Sequence, residues 1–163
     1  MDMKGTPKEL KLTVNGKVYE LMVKPKTLLV DVLRKELKLM GTRIGCLSSS
    51  CGACTVNIDG KAVRSCSVLA LQANGRDVTT IEGVADGDTL HPIQEAMVEH
   101  GAIECGFCTS GMVMSARALL NENPKPTREE IREAIQGNLC ADSGYAKYIE
   151  AIEIAAEKMR GGK

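Results

Sequence analysis

Near the start of the chain apolar and polar positions alternate through Leu10, Leu12 and Val14, and a second apolar set, Val18, Leu21 and Val23, follows Asn15-Gly16. Alternation is the signature of a strand with one face buried, and Asn-Gly tolerates the positive φ of a tight hairpin, so the pattern predicts two paired strands. The spacing then changes. Thr27 is placed to cap a helical pattern of Leu28, Leu29, Val32, Leu33 and Leu37 that ends at Gly41. Beyond a loop rich in Gly, Ser and Cys, residues 55–58 and 62–66 flank Asp59-Gly60 as a second hairpin, and the β-branched run 77–81 predicts a last strand. The order hairpin, helix, loop, hairpin, strand describes a small mixed sheet packed on one helix.

Strand signals stop at Gly83, and Gly87-Asp88 with His91-Pro92 marks the entry to a helical half. Pro92 suits the first turn of a helix carrying Ile93, Ala96, Met97 and His100, and residues 111–120 repeat Val113, Met114, Ala116 and Leu120 at helical spacing. Thr127 and Glu130 have capping-box spacing ahead of Ile131, Ala134 and Ile135. Residues 148–159, with Ile149, Ile152 and Ala156, complete a set of four helices, enough to close a bundle. Gly161, Gly162 and Lys163 are expected to fray.

Composition narrows the function. The chain has 163 residues, 44% hydrophobic and 26% charged, which excludes wholesale disorder. Net charge is zero but uneven: 13 basic and 7 acidic residues up to Thr80, 8 and 14 after it. Neutrality, one Phe and no Trp argue against nucleic acid, which needs basic patches and stacking aromatics. No apolar run approaches the roughly 18 residues of a membrane span. The polar first ten residues lack both an apolar signal core and a twin arginine, so the expected location is the cytoplasm. Seven cysteines in such a chain point to metal or redox chemistry, and an odd number cannot all pair as disulfides.

Four of them are spaced Cys46-x4-Cys51-x2-Cys54-x11-Cys66, which is plant-type [2Fe-2S] spacing. A binuclear cluster needs four thiolates, two per iron; a loop supplies three and a hairpin brings the fourth. Gly45 and Gly52 allow the backbone to approach closely enough for amide N–H groups to point at sulfur. A zinc site and inert core cysteines are the competing readings, although zinc ribbons use two separated C-x-x-C knuckles. The second set, Cys105-x2-Cys108 and Cys140, is one thiolate short. Asp142, two residues past Cys140, offers a carboxylate where a fourth ligand could sit; Ser143, a water molecule, or a labile or absent cluster are the alternatives.

The order of motifs, plant-type cluster spacing, then His91-Pro92-x-Gln94, then Cys105-Gly106-Phe107-Cys108-Thr109, then Gly137-Asn138-Leu139-Cys140, resembles the iron–sulfur subunit of the molybdenum hydroxylases, the xanthine dehydrogenase, aldehyde oxidoreductase and carbon monoxide dehydrogenase family. The resemblance runs from about Leu10 to Ile152. It implies an α+β protein: an N-terminal β-grasp, plant-type ferredoxin-like domain over residues 1–82, then a C-terminal four-helix bundle over residues 83–163, with one [2Fe-2S] cluster in each. It also implies an electron-transfer subunit between a large molybdopterin-binding subunit, with the pterin as a dinucleotide, and a FAD-binding subunit or external acceptor. Electrons would pass from molybdenum to the cluster of Cys105, Cys108 and Cys140, then to that of Cys46 to Cys66. The substrate of such a complex would be a small organic molecule or carbon monoxide.

Two positions depart from the family pattern. The family ends its last motif Cys-x-Cys, where this chain has Cys140-Ala141-Asp142. It also places Gln before Cys-Gly-Phe-Cys, in contact with the pterin, where this chain has Glu104; Cys108 is the other residue the resemblance sets near the pterin. His91 reads as a helix-start cap or surface residue, His100 as a partner of a helix end, and Met97, Met112 and Met114 as core or interface filler. Nothing in the chain forms a nucleophile and base constellation, so bond chemistry is expected in another subunit. The readings set against this one are a free-standing soluble ferredoxin and a zinc-stabilised interaction module.

Overall fold

In a computed structural model, residues 5–161 of the chain are described. Strands β1 (Lys8–Val14) and β2 (Lys17–Val23) pair antiparallel around Asn15 and Gly16, whose φ of 50° and 78° make a turn with both central residues left-handed. On β1, Leu10, Leu12 and Val14 are buried as expected. On β2 the inward residues are Tyr19, Leu21 and Val23, and Val18 faces out, 56% exposed. Val18 and Leu21 are three apart and cannot share a face at a period of two. Lys11 and Glu20, opposite each other on the outer face, form an ion pair at 2.7 Å.

The next element begins one residue later than Thr27 suggests. Leu28 is the extended N-cap of α1 (Leu29–Asp31), which runs directly into a π-helical stretch, Val32–Glu36, where the Leu37 amide reaches back five residues to the Val32 carbonyl. Thr27 instead gives its carbonyl to the Ala70 amide. Strand β3 (Thr55–Ile58) is buried along its whole length and pairs with β4 (Lys61–Arg64) around Asp59 and Gly60, and β5 (Asp77–Thr79) is shorter than expected because the chain turns at Ile81–Gly83. Cys66 lies just past β4 in a tight turn, Ser65–Ser67, rather than on the strand.

The sheet order is β2-β1-β5-β3-β4, with β5 parallel to β1 and antiparallel to β3. Leu29, Val32 and Leu33 pack on Leu10, Leu12, Val14, Val56 and Val78, each side chain contributing about 1.5–3 kcal/mol by leaving water. A second core holds helices α2 (Pro92–Glu99), α3 (Thr109–Glu122), α4 (Arg128–Ile135) and α5 (Tyr145–Gly161) together around Met97, Met112, Met114, Ile131, Tyr148 and Ile152. Thr127 and Glu130 form the expected capping box, and His91 caps α2 by accepting the Ile93 amide on Nδ1 at 3.2 Å. Helices α3 and α5 begin two and three residues earlier than their apolar patterns suggest, and Gly161 closes α5; Gly162 and Lys163 lie outside the described residues.

The two cores meet along α3 and β3. Asn57 on β3 donates to the Met114 carbonyl at 2.9 Å and accepts from Arg117 at 3.0 Å, which satisfies a side chain only 1% exposed. Among the described residues no helix is long and apolar enough to cross a membrane.

Candidate iron–sulfur sites

The loop from Cys46 to Cys54 is wound by left-handed residues, Leu47 at φ 60°, Ser49 at 65° and Gly52 at 70°. For Leu and Ser that conformation is costly and is held by what surrounds it. It turns the Ser48 and Cys51 amides onto the Cys46 sulfur, at 3.3 and 3.4 Å. The Ser48 hydroxyl and amide, then the Cys51 amide and thiol, stabilise a negative sulfur and lower the Cys46 thiol to about 6. Cys54 lies deeper, beside Cys66 and Val30, and burial pushes its thiol up to about 11. A Cβ on Gly45 would stand 2.9 Å from the Cys51 sulfur, so glycine is what lets the chain pass the site.

The four thiols therefore sit as two pairs, Cys46 with Cys51 and Cys54 with Cys66. Among the described residues no three His, Cys, Asp or Glu side chains converge on a point that one ion would fill. Paired sulfurs suit a binuclear group, which takes two ligands per iron, better than a tetrahedral zinc.

The second site has the same pairing. Cys108, at the N-cap of α3, is 5% exposed and adjoins the Cys140 thiol; its pKa is raised by burial, against the Tyr148 hydroxyl, which lowers it. The outer pair is Cys105 and Asp142, both exposed, with the Asp142 carboxylate accepting the Cys105 amide at 3.2 Å. The Cys105 thiol and amide hold the Asp142 carboxyl below its ordinary value. Asp142 thus stands beside Cys105, and its charge equals that of a thiolate. Ser143 has φ 60° and the Gly144 amide turns back to the Cys140 sulfur at 3.4 Å. Glu104 is exposed beside Cys105. A cleft of about 400 Å³ opens between Cys105, Phe107, Cys108, Leu139, Cys140 and Ala141.

Several residues that join the sites carry no signal in spacing alone. The Leu139 amide donates to the Cys51 carbonyl at 2.8 Å, Asn138 Nδ2 to the Gly52 carbonyl at 3.0 Å, and Arg64 to the Gly137 carbonyl at 3.0 Å. Phe107, between Cys105 and Cys108, packs its ring against Gly45 with the Arg43 guanidinium 5.7 Å from the ring centre. Gly52 is enclosed by Gly137, Asn138 and Gly111, and a Cβ there would collide with the Gly137 carbonyl. Helix α5 contributes Tyr145, whose hydroxyl accepts the Cys140 amide at 2.8 Å, and Tyr148, whose hydroxyl lies against Cys108 and Thr109. Their one available sequence cue is that two of the chain's three tyrosines stand three residues apart, directly after the last cysteine.

Residues 12–80 match the family described as 2Fe-2S iron-sulfur cluster binding domain, and residues 80–153 match that described as [2Fe-2S] binding domain. The nicotine 6-hydroxylase small subunit of Paenarthrobacter nicotinovorans is 48% identical over 144 residues, covering 88% of this chain and 87% of its own. The aldehyde oxidoreductase iron-sulfur-binding subunit of Escherichia coli K12 is 41% identical, over 93% of this chain and 72% of its own. Among solved structures, quinoline 2-oxidoreductase from Pseudomonas putida 86 superposes with a TM-score of 0.90 at 44% identity, covering 96% of this chain and 98% of the matched one. The aldehyde oxidoreductase of Desulfovibrio desulfuricans superposes at 0.91 and 46% identity, but there the match takes up 18% of the longer chain.

Proposed function

The chain belongs to the iron–sulfur subunits of the molybdenum hydroxylases, and from that premise we propose that it relays electrons between a molybdopterin site in a large partner subunit and FAD or an external acceptor. Its architecture in this reading is a ferredoxin-like β-grasp domain to about residue 82 and a four-helix bundle from about residue 83. Support comes from the two separate cores and from the parallel β1–β5 pair beside the α1 helix.

Cys46 and Cys51 would hold one iron of the first cluster and Cys54 and Cys66 the other. Cys108 and Cys140 would hold one iron of the second, and Cys105 with Asp142 the other. When bound, each [2Fe-2S] group supplies a one-electron carrier. The residues tune it: amides aimed at Cys46 favour added negative charge on sulfur, whereas the Asp142 oxygen, harder and less covalent, favours ferric iron.

The observation that carries the relay is the hydrogen bond from the Leu139 amide to the Cys51 carbonyl. Leu139 is the neighbour of Cys140 and Cys51 is itself in the first set, so ligand residues of the two sites are separated by one peptide unit and one hydrogen bond. Exposed Ile103, Phe107 and Leu139 around the outer pair form an apolar rim suited to the molybdenum subunit, and Glu104 and Cys108 are the residues we assign to the pterin side. The exposed Leu47 and the serines of the first loop are left for the FAD side. Seven unpaired thiols fit a reducing, cytoplasmic setting.

Purification of the native complex through this chain tests the reading. Molybdenum co-eluting with the chain's iron in constant ratio is the expected result; iron alone, on a chain with no molybdenum-bearing partner, would favour a free-standing carrier.

A further inference from the structure

Tyr148 is 1% exposed, one of the largest side chains in the helical core, yet it carries a hydroxyl. A buried hydroxyl without a partner is costly, and this one has two within reach: the Cys108 sulfur at 3.5 Å and Thr109 Oγ1 at 2.8 Å. Geometry alone leaves open which atom donates in each contact. The proton inventory decides it once Cys108 is a metal-bound thiolate, a step that rests on the ligand set proposed above. Such a sulfur has no proton and can only accept, so the single Tyr148 proton goes to Cys108 and the Thr109 hydroxyl donates to the Tyr148 oxygen.

We infer that Tyr148 is a positioning residue for electron transfer: its hydroxyl donates to the Cys108 sulfur and raises the reduction potential of the second cluster. The added electron increases negative charge on the ligand sulfurs, and a fixed O–H dipole in a dry core stabilises that charge more than the oxidised state. The placement is rigid. Tyr148 stands one turn from Tyr145 on the same face of α5, its amide is tied to the Gly144 carbonyl at 3.1 Å, and Tyr145 holds the Cys140 backbone, so the first turn of α5 fixes both inner ligands. The effect also opposes that of Asp142. An oxygen ligand lowers the potential and a sulfur hydrogen bond raises it.

The test is a dithionite-poised redox titration of the intact complex, following the two EPR signals, for wild type and Tyr148→Phe. The phenyl ring keeps the packing and removes only the hydroxyl. Expected is a reduced-to-oxidised ratio at the second site about tenfold lower at a fixed poise, a downward shift of about 59 mV for a one-electron couple, with the first site unmoved. An unchanged second midpoint with both signals intact overturns the inference and leaves the ligand assignment standing. A wild-type protein with no second signal overturns both. Should Tyr148→Phe shed its second cluster, replacing Tyr148 alone by 3-fluorotyrosine decides: the more acidic hydroxyl donates more strongly and should raise the second midpoint, and no movement rejects the role.

Discussion

Gly52→Ala should separate the two iron–sulfur sites more effectively than any change to a ligand. Two costs combine at this position. Its φ of +70° is left-handed, which costs a residue with a Cβ about 1–2 kcal/mol. The new methyl would also collide with the Gly137 carbonyl and stand 2.7 Å from Asn138 Nδ2, and relief requires residues 137–139 to move away. That movement strains the Asn138–Gly52 and Leu139–Cys51 hydrogen bonds, each contributing about 1 kcal/mol net. Overpacking, that strain included, costs about 1–3 kcal/mol, so with the backbone cost the total is about 2–5 kcal/mol. Gly60→Ala is the matched control, because Gly60 has φ +82° with nothing within 4 Å of its Cβ direction and bears the backbone cost alone. Thermal unfolding of the loaded protein should show Gly52→Ala lowered by roughly 10 °C and Gly60→Ala by roughly 3–5 °C. EPR should show weakened magnetic coupling between the two sites in the first variant only. Equal losses of stability in the two variants, with coupling unchanged, would refute the claim that the two ligand loops are packed directly on each other.

Asp142→Cys restores a fourth thiolate and should raise the midpoint potential of the second EPR signal, because sulfur is softer and more covalent than a carboxylate; an unchanged midpoint and spectrum would remove Asp142 from the ligand set. His91→Ala removes the α2 cap and should cost about 1 kcal/mol at pH 8. Burial and then the Arg117 charge hold the His91 pKa below its usual 6.5, so the cap's contribution is complete above about pH 6.5 and is lost as the pH falls through the folded value. Melting curves of the two proteins should therefore converge on acidification, and a gap that stays constant or widens would contradict the assignment.

Much of this was legible in the chain because local chemistry agrees with tertiary context. Asn15-Gly16 and Asp59-Gly60 take the left-handed turns their residue types favour, and Thr127 caps the helix its capping box announces. What escaped depends on neighbours far along the chain. Val18 looks as apolar as Tyr19, and only pairing with β1 decides which faces the core. Thr27 is a good cap by composition, but Ala70 takes its carbonyl and Leu28 bridges to Leu69. The cysteines and Asp142 stand out as candidates by their spacing, whereas Asn138, Arg64 and Tyr148 make contacts with residues 40 to 86 positions away, and no local period encodes those.

The claim that this chain relays electrons through two adjacent binuclear sites is tested most directly by counting them. The complex is purified without oxygen, reduced with dithionite, and its EPR recorded over a temperature series, with integrated spins compared with measured iron. Two distinguishable S = ½ signals and about four irons per chain are the predicted result. One signal and about two irons would mean that the site of Cys105, Cys108, Cys140 and Asp142 holds no cluster, and the relay would fail at its first step.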